Sequence, residues 1–243
     1  MDLCTYHSHC NFCDGKAPAE DFVKAAIEAG FHSYGISSHS PLPFETRWSL
    51  SKGNVEAYLT EIKRLQEKYA GQIELYVGME IDYLSDEWGP VVEYFQRMPL
   101  DYRIGSVHLV TEEKTDEIMD MDGKFEDFRE NLRLVFHDDL KYLVEAYFKA
   151  SSRMVELGGF DFVAHLDKIS MNGSLVDSTL TEQGWYNRLL WDYMSLLPDK
   201  QPVHELHWSS IQKVSDDSWL YGKSSARHGQ PYRSLPPSVF FLP

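Results

Sequence analysis

At 243 residues with 43% hydrophobic side chains, the chain is long enough to bury one barrel-sized core. Its formal net charge of -15 argues against nucleic acid as the main partner, because such binding draws most of its affinity from Lys and Arg at phosphates. No apolar run approaches the ~20 residues of a membrane helix, and the start carries no basic segment with an apolar one behind it, so the composition reads as a cytoplasmic protein without membrane attachment.

The first stretch, Met1 to Lys16, places a short apolar run (Leu3, Cys4, Tyr6) ahead of His7 and His9, with Asp14 just before a helix. Side chains i and i+2 of a strand point to one side, so His7 and His9 can grip one ion. All three cysteines, Cys4, Cys10 and Cys13, lie here. Cys10-x-x-Cys13 is half of a structural zinc motif, but no second pair follows, and reduced thiols are expected.

Pro18, the acidic Glu20 and Asp21, the apolar face of Phe22, Ala25, Ala26 and Ala29, and the terminator Gly30 predict a helix over 18–29. A strand over 33–37 follows, with His39 at its end, then a loop holding Pro41, Pro43, Arg47 and Trp48. Asn54 caps a helix whose apolar positions run Val55, Leu59, Ile62, Leu65 and Tyr69. The apolar strand over 74–81 ends on Glu80 and Asp82, an unusual place for a carboxylate. A short helix over 90–98 and a strand over 102–109 come next, the latter with His108 near its end. The acidic, aperiodic stretch 111–124 reads as an excursion loop. A helical region over 125–157 is expected to break near His137. Further on, the pattern predicts a strand over 160–166 carrying His165, a helix over 181–197 and a strand over 202–206.

Alternating strands and helices favour a parallel sheet with right-handed crossovers, open or closed into a barrel. In either form functional groups gather at the carboxyl ends of the strands. His7, His9, His39, Glu80, His108 and His165 all fall there, at the ends of five successive strands, and would converge on one cavity. That pattern points to a metal centre. His32 and His137 do not share it and read as surface or packing residues.

With these residues in hand, the sequence resembles the polymerase-and-histidinol-phosphatase (PHP) superfamily, and within it the histidinol-phosphate phosphatases. The matching segments are HSHCNFCDG (7–15), SSHSPLPFETRWSL (37–50), GMEIDY (78–83), IGSVHLV (104–110) and AHLDKI (164–169). The resemblance implies a distorted (β/α)7 barrel with a metal cluster at its mouth. Carried over by position, His7, His9 and Glu80 hold a first metal, Glu80 bridges to a second held also by His108 and His165, and Asp14 and His39 hold a third. Family members complete the first and third sites with a Gly-Ser-Asp-x-His element on the last strand, and this sequence has none. VHELHWSSIQK (203–213) still follows the family, with His207 where an Asn is usual. Beyond it the final helix and strand are missing or altered, so the chain divides into a barrel over 1–213 and an atypical tail over 214–243, in which His228 is a candidate substitute ligand.

The implied chemistry is metal-dependent hydrolysis of a small phosphate monoester, L-histidinol phosphate in histidine biosynthesis, with two to three divalent ions, Zn, Mn or Fe, suited to mixed carboxylate and imidazole ligands. Arg47 and Arg103 are candidate phosphate-binding groups. Two alternatives stand beside this reading: a PHP phosphoesterase acting on another small phosphate ester or a nucleotide, and a metal-deficient, inactive barrel whose missing strand would leave an edge prone to self-association. The oligomeric state is left open.

Overall fold

The computed structural model describes residues 3–197 and the backbone of 211–215 and 218–221. In chain order the elements are β1 (Leu3–Thr5), α1 (Ala19–Glu28), β2 (Phe31–Ile36), α2 (Val55–Lys68), β3 (Glu74–Asp82), α3 (Glu93–Gln96), β4 (Tyr102–Ser106), β5 (Leu109–Thr111), β6 (Ile118–Asp120), α4 (Phe125–Val135), α5 (Leu140–Leu157), β7 (Phe162–Val163), α6 (Ser170–Val176), α7 (Gly184–Ser195), β8 (Ile211–Ser215) and β9 (Ser218–Tyr221).

Five of these strands form one parallel sheet in the order β1-β2-β3-β4-β7, the curled wall of a distorted α/β barrel. Because all five run the same way, every carboxyl end opens on one rim. Strand β3 sits at the centre and is buried almost throughout, and its 75–79 stretch is free of charged side chains, as suits a strand covered on both faces. Tyr58 of α2 stitches the wall: its hydroxyl proton is shared between the carbonyls of Ile36 at 2.8 Å and Gly78 at 2.7 Å, joining β2 to β3.

Tyr102, at the amino end of β4, fills the barrel below the rim. Its hydroxyl donates to the Tyr6 carbonyl at 2.5 Å, and its ring stacks edge-on against Tyr6 and Phe162. Two glycines make room for it. A Cβ on Gly78 would lie 2.2 Å from Tyr102 Cζ, and one on Gly35 2.2 Å from the hydroxyl oxygen. Larger apolar cores lie outside the wall. One joins α1 and α2 to the sheet through Val23, Ile36, Ile62, Leu65 and Met79, and the other joins α4, α5 and α7 through Phe128, Leu132, Tyr147, Phe148 and Tyr193.

The expected break near His137 is present: α4 stops at Val135, His137 and Asp138 take positive φ of 54° and 64°, and the Asp139 side chain then caps α5 by accepting from Tyr142 N at 3.0 Å. Three details differ from the expectation. The stretch 111–124 is not a plain loop, because Val110, Met119 and Met121 are buried and β5 pairs with β6 in an antiparallel hairpin. Residues 170–176 form a helix, α6, that its polar composition hides. The strand around 160–166 shrinks to two residues, β7, which among the described residues pairs with β4 alone. The strand expected over 202–206, His204, His207 and His228 lie outside the described residues. Among those that are described, no helix is long and apolar enough to cross a membrane.

Candidate metal centre

The rim of the sheet carries the site because each strand hands over a side chain just as it ends. After β1, Ser8 turns outward and donates Oγ to the Gly35 carbonyl at 2.8 Å. The alternation then sends His7 and His9 together to the other side. Beyond β2 the pairing with β3 persists: Ser40 N donates to Glu80 O at 2.7 Å and Glu80 N to Ser38 O at 3.1 Å, so His39 stands directly beside Glu80. His108 follows β4 by two residues, and His165 follows β7 by two, the latter in a left-handed conformation (φ 52°) with its carbonyl accepting from Tyr147 Oη at 2.7 Å.

At the centre is Glu80, with no exposed surface. Its Oε2 lies 3.2 Å from His7 Nε2, 3.3 Å from His9 Nε2 and 3.1 Å from His39 Nδ1. Its Oε1 lies 3.5 Å from His108 Nε2 and 3.3 Å from His165 Nε2. Five imidazoles thus divide between the two oxygens of one carboxylate. Asp14, half exposed at the rim, brings Oδ1 to 3.6 Å from His9 Nδ1 and 3.9 Å from His39 Nε2.

This packing fits cations better than it fits protons alone. Both Glu80 oxygens, His39 Nδ1 and His108 Nε2 are buried without a hydrogen-bond partner. A buried carboxylate left in that state is costly unless an ion answers it. The donor set, imidazole nitrogen with carboxylate oxygen, is that of Zn²⁺, Mn²⁺ or Fe²⁺.

The local electrostatics divide the histidines into two kinds. Burial pushes His165 down to about 4, outweighing Glu80, and burial also lowers His39, so both are neutral near pH 7 with lone pairs to offer. Burial acts the same way on His108, but the Asp82 and Glu80 carboxylates overcome it and raise His108 to about 9. His9 likewise rises to about 9 against its burial, through the Cys13 thiol and Glu80. Burial would raise Glu80, yet His7, His39 and His108 hold it well below the ordinary carboxylate range.

A cavity of about 300 Å³ opens over this cluster, lined by His7, His9, Asp14, His39, His108 and His165 together with Asp122 and Lys168. Every residue nominated as a ligand from the described sequence is therefore at this mouth, with Glu80 as its floor. A larger hollow of about 620 Å³ beside α1 and α2 has only Glu56 and Glu61 as ionisable groups and lacks any ligand constellation.

Arg103 is a correction. It lies at the amino end of β4, where its guanidinium donates to the carbonyls of Phe95, Gln96 and Met98 at 2.9–3.2 Å, so it ties down the turn at α3 and does not face the imidazoles. Arg47 is exposed on the loop after β2 and does not line the cavity. Among the described residues the cation that does is Lys168, whose Nζ lies 3.0 Å from Asp122 Oδ1, with Asp122 Oδ2 3.8 Å from His108 Nε2.

Asp82, noted in the sequence as a carboxylate at the strand end but not nominated for the site, stands directly behind one of the imidazoles. Its Oδ1 accepts from His108 N at 3.1 Å and from His108 Nδ1 at 2.8 Å, which fixes the ring with Nε2 toward Glu80. The period of two from Glu80 along β3 was its signal. Lys168 had one in its place three residues after His165, whereas Asp122 sits in an acidic stretch that offers none.

Comparison with known proteins agrees with this geometry. The profile of the family described as PHP domain matches residues 5–206. A Deinococcus radiodurans protein named "Probable histidinol-phosphatase" is 25% identical over 168 residues, covering 68% of this chain and 60% of the relative. The histidinol-phosphatase of Bacillus subtilis is 25% identical over 127 residues, 48% of this chain and 47% of the relative. The chain thus spans between about half and three fifths of these two relatives. The crystal structure of hisK from Listeria monocytogenes superimposes with a TM-score of 0.65 at 22% identity, covering 79% of this chain and 78% of that one, a likeness of fold.

Proposed function

Because the chain belongs to the PHP domain family, we propose that it is a metal-dependent phosphomonoester hydrolase acting on L-histidinol phosphate, a step of histidine biosynthesis. The observation that carries this reading is Glu80, a buried carboxylate whose two oxygens face separate sets of imidazoles. His7 and His9 with Glu80 Oε2 would hold one ion, His108 and His165 with Glu80 Oε1 a second, and Asp14 with His39 a third. Divalent cations bound there supply positive charge to the phosphoryl oxygens and acidify water, which suits hydrolysis of a P–O ester bond without a covalent enzyme intermediate.

The chain's own residues do the rest. Asp82 accepts the Nδ1 proton of His108 and so leaves Nε2 as the donor atom facing the cavity. His165, neutral at pH 7, serves as a ligand and not as a general acid. Lys168 Nζ is the cation placed to receive a phosphate oxygen at the mouth, in exchange for its bond to Asp122. Asp122, released from that bond, and the negative charge of the chain suit a substrate that also carries a cationic amine.

The test is phosphate release from L-histidinol phosphate by chelator-treated protein reloaded with Mn²⁺ or Zn²⁺, against a panel of other small phosphate esters and nucleotides. Preference for histidinol phosphate supports the assignment. Equal or better turnover of another ester moves the substrate while keeping the reaction class.

A further inference from the structure

The turn between β1 and α1 carries a donor that the ligand sets around Glu80 leave out, the Cys13 thiol, beside His9 and Asp14, which they include. Cys13 Sγ lies 3.4 Å from His9 Nδ1, Asp14 Oδ1 lies 3.6 Å from the same nitrogen, and the three atoms are all within 4.8 Å of one another. His9 therefore faces two ways, with Nε2 toward Glu80 inside and Nδ1 toward Cys13 and Asp14 at the rim. The His39 Nε2 atom, 3.9 Å from Asp14 Oδ1, adjoins the same position.

The turn is built tightly enough to hold this arrangement. Cys13 N donates to Cys10 O at 3.0 Å and Asn11 N to Ala17 O at 2.9 Å. A Cβ on Gly15 would lie 2.5 Å from Cys10 Cα and 2.6 Å from the His9 carbonyl carbon, so only glycine lets the backbone fold back over His9. The two cysteines have different surroundings: Cys10 is fully buried with Sγ against Ser38 Oγ at 3.4 Å, while Cys13 is partly exposed.

Thiolate, carboxylate and imidazole together make a softer donor set than the nitrogen and oxygen ligands around Glu80. We propose that Cys13 Sγ, with His9 Nδ1, joins Asp14 in holding the third ion at the rim of the centre, and that this position takes a thiophilic divalent cation, Zn²⁺, Co²⁺ or Cd²⁺. As the sulfur–metal bond forms, the Cys13 thiol gives its proton to solvent. When inner and rim positions are both filled through His9, its ring also loses the remaining proton, which couples the two occupancies. The inference rests on the metal-centre reading, with which it shares His9 and Asp14, but its readout is spectroscopic and does not depend on phosphate turnover.

The experiment is Co²⁺ titration of the reduced, chelator-stripped full chain, followed by near-ultraviolet absorption. Thiolate-to-cobalt charge transfer is expected in the wild type and in Cys10→Ser, and is expected to vanish in Cys13→Ser together with about one equivalent of bound cobalt. Cys13→His should keep that equivalent without the band. A wild type without the band, or a band that survives Cys13→Ser, overturns the proposal. Should Cys13→Ser misfold, alkylation of wild-type Cys13 by iodoacetamide decides: protection by Zn²⁺ supports the site, and an unchanged rate refutes it.

Discussion

Replacing Asp82 by Asn isolates how the chain prepares His108. The native carboxylate accepts two hydrogen bonds from one residue, from the backbone N at 3.1 Å and from Nδ1 at 2.8 Å, and both partners are shut off from solvent. The amide of Asn keeps the shape and one acceptor oxygen but loses the charge. Its NH₂ would occupy the place of Oδ2, a buried atom with no partner. Hydrogen bonds to charged groups contribute about 1.5–3 kcal/mol against about 0.5–1.5 for neutral ones, so the loss on the Nδ1 side is roughly 1–2 kcal/mol. Expressed at the ligand, that is a fall of about 5- to 30-fold in metal affinity, overlapping the range of about 10- to 100-fold for carboxylates behind metal-bound histidines. The assay is competition for Zn²⁺ against a chromophoric chelator, with far-UV circular dichroism as the folding control. A folded Asp82→Asn protein whose affinity stays within about twofold of wild type would refute the orienting role.

Lys168→Gln should lower kcat/KM by about tenfold or more, mainly through KM, since a charge-assisted bond to phosphate is lost while the ligands stay in place; steady-state kinetics check it. Gly78→Ala should destabilise by about 1–3 kcal/mol or more, because the added methyl falls 2.2 Å from a Tyr102 ring held on all sides, and thermal melting should show the midpoint falling by several degrees. The metal-free protein should melt highest near pH 6.5. His9 and His108 are raised from 6.5 to about 9, so their contribution is complete below 6.5 and is lost as pH rises toward 9. His165 is lowered from 6.5 to about 4, so its contribution is lost instead as pH falls from 6.5 toward 4. Melting in the presence of chelator across pH 4–9 reads both limbs.

How much of the site was legible in the sequence follows from the geometry of parallel sheets. Once strands alternate with helices, their carboxyl ends share a rim, and a His or Glu at such an end has a definite address; His7, His39, Glu80, His108 and His165 were found that way. Arg103 shows the same rule from its other side. At the amino end of β4 it belongs to the floor, a position the strand assignment alone could have revealed. Asp122 was out of reach because it follows a hairpin whose burial depends on Val110, Met119 and Met121 packing under α4, contacts that no local period announces. Helix α6 was hidden for a related reason: its Ser170, Asn172 and Gly173 are buried, with Asn172 Nδ2 donating to the Met121 carbonyl at 3.0 Å, so tertiary partners and not an apolar stripe make it a helix. Tyr102 and its two glycines were likewise invisible until the fold brought residues 35, 78 and 102 together.

If Glu80 organises a working metal cluster, metal content and turnover must stand or fall together with its carboxylate. The most direct test is elemental analysis of the purified full chain, run beside phosphate release from L-histidinol phosphate for the wild type and Glu80→Gln. The expected result is about two or three divalent ions per wild-type chain, release that stops with chelator and returns with Mn²⁺ or Zn²⁺, and loss of both ions and turnover in Glu80→Gln. One ion or fewer per chain with no release from any phosphate ester, or a Glu80→Gln protein that keeps its metals, would contradict it.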